Sequence, residues 1–306
     1  MDRRVPLWQN LAMLVACVAL LALTVREGMV FFKPVEAKIV MGFTPSENAQ
    51  TMEANGAKLG DYILNRTGVK LETFVAADYT ALIEATRAGR VDFAWLAPFN
   101  LIMAEQVADC QVICKSQRKG RIVYYSVVIV RADSPFHSIN DLRNHTMAWV
   151  DPASSSGYIM PKATMMKDGI LPDKFFSQQI YAGGHDALVK AVLNGNVDAG
   201  ATFSNDTVGS DASWTHMTDV PKGSFRVIYH SFAIPSDAMA VRRAFMKEQP
   251  VVTEKVVHEI LGMGADSVGH KLLNDLYRID ALVEAKTEDY QDIRDAAKLM
   301  GISFKK

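Results

Sequence analysis

The feature that most constrains the fold is an alternation of short apolar runs with segments of helical spacing, which begins at Lys38 and continues through most of the chain. Residues 38–43 (KIVMGF) read as a buried strand ending in a turn, and 46–67 as a helix with Met52, Leu59, Tyr62 and Ile63 on its apolar face. Residues 69–75 and 91–96 read as strands. Residues 78–88 and 98–108 read as helices, the first with Asp78 as N-cap and Gly89 as its stop. Strand and helix in strict alternation predict an α/β lobe on a largely parallel sheet.

Two further strand-like stretches, 112–115 and 121–131, precede the break Asp133-Ser134-Pro135, which suggests a crossing into a second lobe. There the alternation resumes. A strand at 146–150 leads to a turn, DPASSSG (151–157), and then to a helix with Pro161 near its start, where proline is tolerated. Residues 175–181, 186–194, 197–203 and 225–231 continue the pattern. Ile234-Pro235-Ser236-Asp237 suggests a return crossing, and from Ala238 onward the spacing is helical. A chain of 306 residues is long enough for two such lobes. The expected division is 1–37 as an N-terminal segment, 38–132 with 232–306 as lobe 1, and 133–231 as lobe 2. Two lobes joined by two crossings make a clamp that binds ligand in its cleft and closes by a hinge.

The N-terminal segment has a different character. Arg3 and Arg4 precede an apolar run over 11–25, which predicts export of the chain beyond it. The run is a little shorter than the roughly 17–25 residues of a full span, and no small-x-small cleavage site comes closely after it. The expectation is a periplasmic protein tethered to the inner membrane by an uncleaved N-terminal helix. A removed signal peptide, or lipidation at Cys17 within Leu14-Val15-Ala16-Cys17, remains open. The net charge of −1, without a basic run, gives no support to nucleic-acid binding. Cys110 and Cys114 lie four apart on a strand-like stretch, about 13 Å, whereas a disulfide needs Cα atoms within about 7 Å; two free thiols are expected.

The serine turn carries the strongest chemical signal. A helix N-terminus offers unsatisfied N–H groups and a partial positive charge, an anion site without a basic side chain. Ser154, Ser155 and Ser156 would add three hydroxyl donors, although one serine could simply be an N-cap. No G-x-S-x-G elbow and no H-E-x-x-H are present, so a hydrolase triad of Ser155, His185 and Asp237 or a metal hydrolase is not expected. No cofactor is expected either.

Read in order, GFTPSEN, ADYTALIEATRAGRVDFAW, YYSVVIVRADSP, DPASSSGYIMP, AGGHDALVKAVLNGNVDAGAT and AIPSDAMAVRR resemble the phosphate/phosphite/phosphonate-binding proteins of ABC importers. The resemblance covers roughly residues 38–245. It implies a two-lobed periplasmic binding protein of the type II clamp, an α/β fold with hinge-connected parallel-sheet lobes. It also implies ligand contacts from Tyr79, Ser154, Ser155, Ser156 and His185, with Asp237 at the hinge. A partly charged His185 would complement an anion.

Two departures from that pattern matter. Where aminoalkylphosphonate binders place a carboxylate, this chain has Asn205, or Asp206 after a one-residue slip, and an aromatic is replaced by Leu96. The second departure is Cys110, which is similar in position to the cysteine of an arsenite-binding branch that reports to a membrane sensor kinase. Soft thiolates suit trivalent arsenic. The leading expectation is therefore arsenite bound through Cys110, with signalling to a sensor kinase. The alternative is a phosphite-, phosphonate- or phosphate-binding component paired with an ABC permease.

Overall fold

The computed structural model describes residues 39–45 and 49–303. The expected N-terminal anchor and Cys17 lie outside the described residues. Among the described residues no helix is long and apolar enough to cross a membrane.

Two six-stranded sheets form the body of the protein. The first contains β1 (Ile39–Phe43), β2 (Leu71–Val75), β3 (Phe93–Leu96), β4 (Cys110–Gln117), β11 (Ala238–Arg242) and β12 (Ala281–Glu284), in the order β12-β4-β11-β3-β1-β2. Helices α1 (Ala49–Thr67), α2 (Tyr79–Arg87) and α3 (Pro98–Val107) connect its early strands. The second sheet has the order β10-β5-β8-β6-β7, with β9 also on β5. Its strands are β5 (Val123–Arg131), β6 (Thr146–Trp149), β7 (Gln178–Tyr181), β8 (Ala199–Ser204), β9 (Phe225–His230) and β10 (Ile234–Pro235). Helices α4 (Met160–Lys167) and α5 (His185–Leu193) belong to this half. Later come α6 (Pro250–Gly262), α7 (Ser267–Tyr277) and α8 (Gln291–Leu299).

The two-lobed α/β clamp is therefore present, but its sheets are mixed rather than parallel. β1 pairs in parallel with β2 and β3, and β6 with β7 and β8. β11 is antiparallel to both β3 and β4, and β5 is antiparallel to β8, β9 and β10. A strand that returns from the other lobe enters its sheet reversed, and β11 is such a strand. The stretch expected to be helical from Ala238 onward thus begins as β11, a central strand of the first sheet.

The first crossing also differs from expectation. The long strand β5, assigned to lobe 1 by the break at Asp133, is hydrogen-bonded within the second sheet. The chain crosses at 118–122, just after a tight turn in which Arg118 and Arg121 exchange backbone hydrogen bonds. Lys119 (φ 48°) and Gly120 (φ 75°) both take left-handed conformations there, as a two-residue hairpin turn of this hand requires. Asp133-Ser134-Pro135 merely ends β5. The return crossing is at Ser236 and Asp237, between β10 in the second sheet and β11 in the first. Ser236 N–H donates to the Ile122 carbonyl (3.0 Å) and Ser116 N–H to the Asp237 carbonyl (2.9 Å), so the two crossings run side by side.

Cys110 and Cys114 are both free and buried, as the strand spacing implied. The register between β11 and β4 shifts between Met239 and Ala240, whose partners are Cys114 and Val112. This bulge turns the strand locally. Cys110 joins the core cluster with Leu101 and Val112, and Cys114 the one with Trp95 and Met239.

Candidate functional site

Local sequence chemistry builds the serine turn. Pro161 has no N–H to donate back to the Gly157 carbonyl. That carbonyl instead accepts from Val150 N–H (3.1 Å), which pins the turn to the end of β6. Residues Ser155–Ile159 form a wide π turn before α4, with Ile159 N–H reaching the Ser154 carbonyl (3.0 Å). Gly157 is required by close approach: a Cβ there would lie 2.4 Å from Val150 Cβ. The AGGH loop is tied to the same strand end, since Ala182 and Gly183 donate to the Trp149 and Val150 carbonyls (2.8 Å each). His185 is thereby set at the start of α5 beside the serine turn.

These elements border a cavity of about 60 Å3, whose wall includes Tyr79, Ser154, Ser155, Ser156, His185 and Asp237. The six residues that the resemblance implied as ligand contacts therefore line one space, and Cys110, the seventh candidate, is not among its lining residues. Residues from both sheets' halves contribute to it. Four helix N-termini meet its wall: Tyr79 opens α2, Ala97 caps α3, Ser154 caps the π turn and His185 opens α5. Each contributes positive potential, and Arg118 and Arg278 also stand in the wall, so the cavity suits an anion.

The three serines have distinct tasks. Ser154 is the N-cap, its Oγ accepting from Gly157 N–H (3.0 Å). Ser155 Oγ accepts from Phe99 N–H (2.8 Å), the first amide that α3 offers after Pro98, and so joins the two lobes. Ser156 is buried and shares the cavity wall with the Tyr124 side chain. A serine that accepts through oxygen keeps its proton for a ligand.

His185 departs from expectation. It is 3 % exposed, and its Nδ1 lies 2.7 Å from Thr202 Oγ1, which in turn is 2.8 Å from Ser213 Oγ. Burial, reinforced by the positive charge of Arg278, pushes its pKa down to about 3. The ring is neutral at pH 7 and serves as a neutral hydrogen-bonding group rather than a partly charged one. Asp237 forms an ion pair with Arg118 (3.3 Å), and burial raises its pKa while Arg118 opposes that rise. No hydrogen bond links Ser155, His185 and Asp237, whose partners are Phe99, Thr202 and Arg118. The geometry is that of a cradle, not a triad.

Cys110 does not reach this cavity. It is 1 % exposed and starts β4, whereas the cavity meets the chain at Arg118, just past the strand's other end. The eight residues from Cys110 to Gln117 are separated by seven steps, about 23 Å of strand. Burial also pushes the thiol up to about 12, so it stays protonated. Asn205 and Leu96 do line the cavity, and Asp206 does not: its carboxylate accepts from the amides of Val208, Gly209 and Ser210 in the following turn. Among the described residues no cluster of three or more His, Cys, Asp or Glu side chains is placed to hold a metal ion.

Several wall residues had not been singled out from sequence: Thr44, Trp95, Arg118, Tyr124, Phe203, Tyr277 and Arg278. Trp95 and Tyr277 both stand in the wall and pack against each other with ring centres 4.9 Å apart and planes tilted by 41°. The Trp95 indole N–H is buried without a hydrogen-bond partner.

The model of a family described as the periplasmic substrate-binding protein of phosphonate ABC transporters matches residues 41–290. The chain belongs to that family. As a member it is a periplasmic substrate-binding component of a phosphonate-type ABC transporter. It is 28% identical over 260 residues to the phosphate-import protein PhnD of Mycolicibacterium smegmatis, covering 78% of each chain. It is 28% identical over 244 residues to the phosphonates-binding periplasmic protein of Escherichia coli, covering 74% of this chain and 71% of the relative. In fold it is similar to PhnD1 of Prochlorococcus marinus, whose structure is in complex with methylphosphonate (TM-score 0.76, 18% identity, 87% of this chain and 99% of that one).

Proposed function

We propose that the protein captures a small phosphorus oxyacid, such as phosphite, a short phosphonate or phosphate, in the cleft between its lobes and presents it to an ABC permease. The observation that carries this reading is the meeting of four helix N-termini and the serine turn at a cavity of about 60 Å3. Tyr79, Ser154, Ser155, Ser156 and His185 surround the oxygens, and Asp237 accepts a ligand O–H. Similarity to relatives named for phosphate and phosphonates supports the same ligand class. With Leu96, Phe203 and Asn205 in the wall, and Asp206 engaged elsewhere, a substituent without an amine is favoured. The arsenite and sensor-kinase reading rested on Cys110, and nothing in the site's geometry favours it.

A thermal-shift panel on the full chain tests the proposal. Phosphite, methylphosphonate or phosphate should raise the melting temperature, since a ligand that binds the native state stabilises it by RT ln(1 + [L]/Kd). Arsenite should not raise it through a thiol. A shift with arsenite that disappears in Cys110→Ala, and none with any phosphorus ligand, would overturn the proposal.

A further inference from the structure

Arg118 and Asp237 occupy the two crossings that join the lobes. Arg118 Nη2 donates to Asp237 Oδ2 (3.3 Å) and to the Tyr277 carbonyl (3.2 Å). All three residues line the cavity. The Asp237 carbonyl also accepts from Ser116 N–H (2.9 Å), so backbone and side chain are both fixed. Among the described wall residues Asp237 is the one carboxylate. A carboxylate beside an anion is useful if it accepts a hydrogen bond from that anion; against an oxyanion with no proton left, it repels.

We propose that Arg118 is a positioning residue which, anchored on the Tyr277 carbonyl, keeps Asp237 at the cavity wall as an acceptor, so that the site selects oxyanions still carrying an acidic O–H over fully ionised ones. This inference rests on the binding function proposed above and adds which protonation state is taken. The other titratable or charged groups around Asp237 are compatible with that role. Tyr124 on β5 and Tyr290, just before α8, are buried phenols whose ionisation is suppressed, so they add no charge. Across the cavity His185 is neutral, and Tyr79 and Arg278 complete the polar wall. Burial raises the Asp237 carboxyl towards its neutral form, and the guanidinium is what opposes this. Without Arg118, Asp237 would lose both the anchor that holds it at the wall and the charge that opposes its protonation, and the preference for a ligand O–H would weaken.

The test is calorimetric titration of the full chain with methylphosphonate and methanesulfonate, from below to above the second ionisation of methylphosphonate. Wild type, Arg118→Ala, Arg118→Lys and Asp237→Asn are compared, with the melting temperature of each ligand-free variant as the folding control. Wild type should bind methylphosphonate about tenfold more weakly for each pH unit above that ionisation, and bind methanesulfonate, which has no acidic proton there, about 10- to 100-fold more weakly or not at all. Arg118→Ala and Asp237→Asn should lose this pH slope and narrow or invert the methanesulfonate discrimination, while Arg118→Lys retains both. An Arg118→Ala protein with the wild-type slope and discrimination would overturn the inference, as would a wild type indifferent to ligand ionisation. If Arg118→Ala does not fold, Asp237→Asn decides in the same way. Wild type that binds no phosphorus ligand at any pH would instead overturn the functional proposal itself, and this inference with it.

Discussion

The neutral state of His185 makes a quantitative prediction about stability. Its ordinary pKa is 6.5, and burial depresses it to about 3 in the folded protein. Between those values the unfolded chain binds a proton that the folded chain refuses. Stability from this group is therefore present above about pH 6.5 and is lost as pH falls towards 3. At pH 5 the unfolded imidazole is almost wholly protonated and the folded one is not. The linkage is then about 2 kcal/mol of lost stability relative to pH 7. Other groups also titrate in this range, so the measurement is a difference of differences. Urea unfolding of wild type and His185→Gln is followed at pH 7 and at pH 5. The wild type should lose about 2 kcal/mol more than the variant between the two. Equal losses would refute the buried, neutral imidazole, and a smaller wild-type loss would mean that His185 is charged in the folded state.

The serine turn and the buried thiol each yield a further expectation. Gly157→Ala places a Cβ against Val150, where the ideal position is 2.4 Å from the nearest carbon. It should cost about 1–3 kcal/mol in chemical unfolding and weaken ligand binding, because the turn must shift away from β6; an unperturbed variant would contradict the tight packing of the turn on that strand. Cys110→Ala should leave the affinity for methylphosphonate unchanged in calorimetry, since the thiol lies at the far end of β4; a large loss would show that Cys110 contacts the ligand.

What the sequence disclosed depended on how local each signal is. Tyr79, the serines and His185 sit where a strand ends and a helix begins, and short turn motifs mark such junctions. The helix-terminus chemistry of the serine turn is therefore legible in its own residues, whereas Tyr79 and His185 entered only through the family resemblance. The close approach of Gly157 and the hydrogen bond from Phe99 to Ser155 depend on neighbours distant in the chain. Arg118 and Tyr277 were silent for the same reason: each reaches the cavity only through the crossings or the end of α7. The first crossing was misplaced because Asp133-Ser134-Pro135 is a louder break than Lys119-Gly120, although the quieter turn leads the chain from one sheet to the other. β11 was missed because a strand wedged into the middle of a sheet takes its stability from tertiary pairing, which overrides a short helical-looking pattern. Cys110 misled in another way. Its softness as a donor is a property of the residue, but its distance from the cavity is a property of the strand.

The central claim is that the serine turn and the converging helix N-termini hold a tetrahedral phosphorus oxyanion. The most direct measurement is a crystal structure of the protein grown with methylphosphonate. One tetrahedral group is expected within hydrogen-bond reach of Ser154, Ser155 or Ser156, of Tyr79 and of His185, with one oxygen on Asp237. Methylphosphonate bound outside this cavity, or an empty cavity at saturating ligand, would contradict the claim.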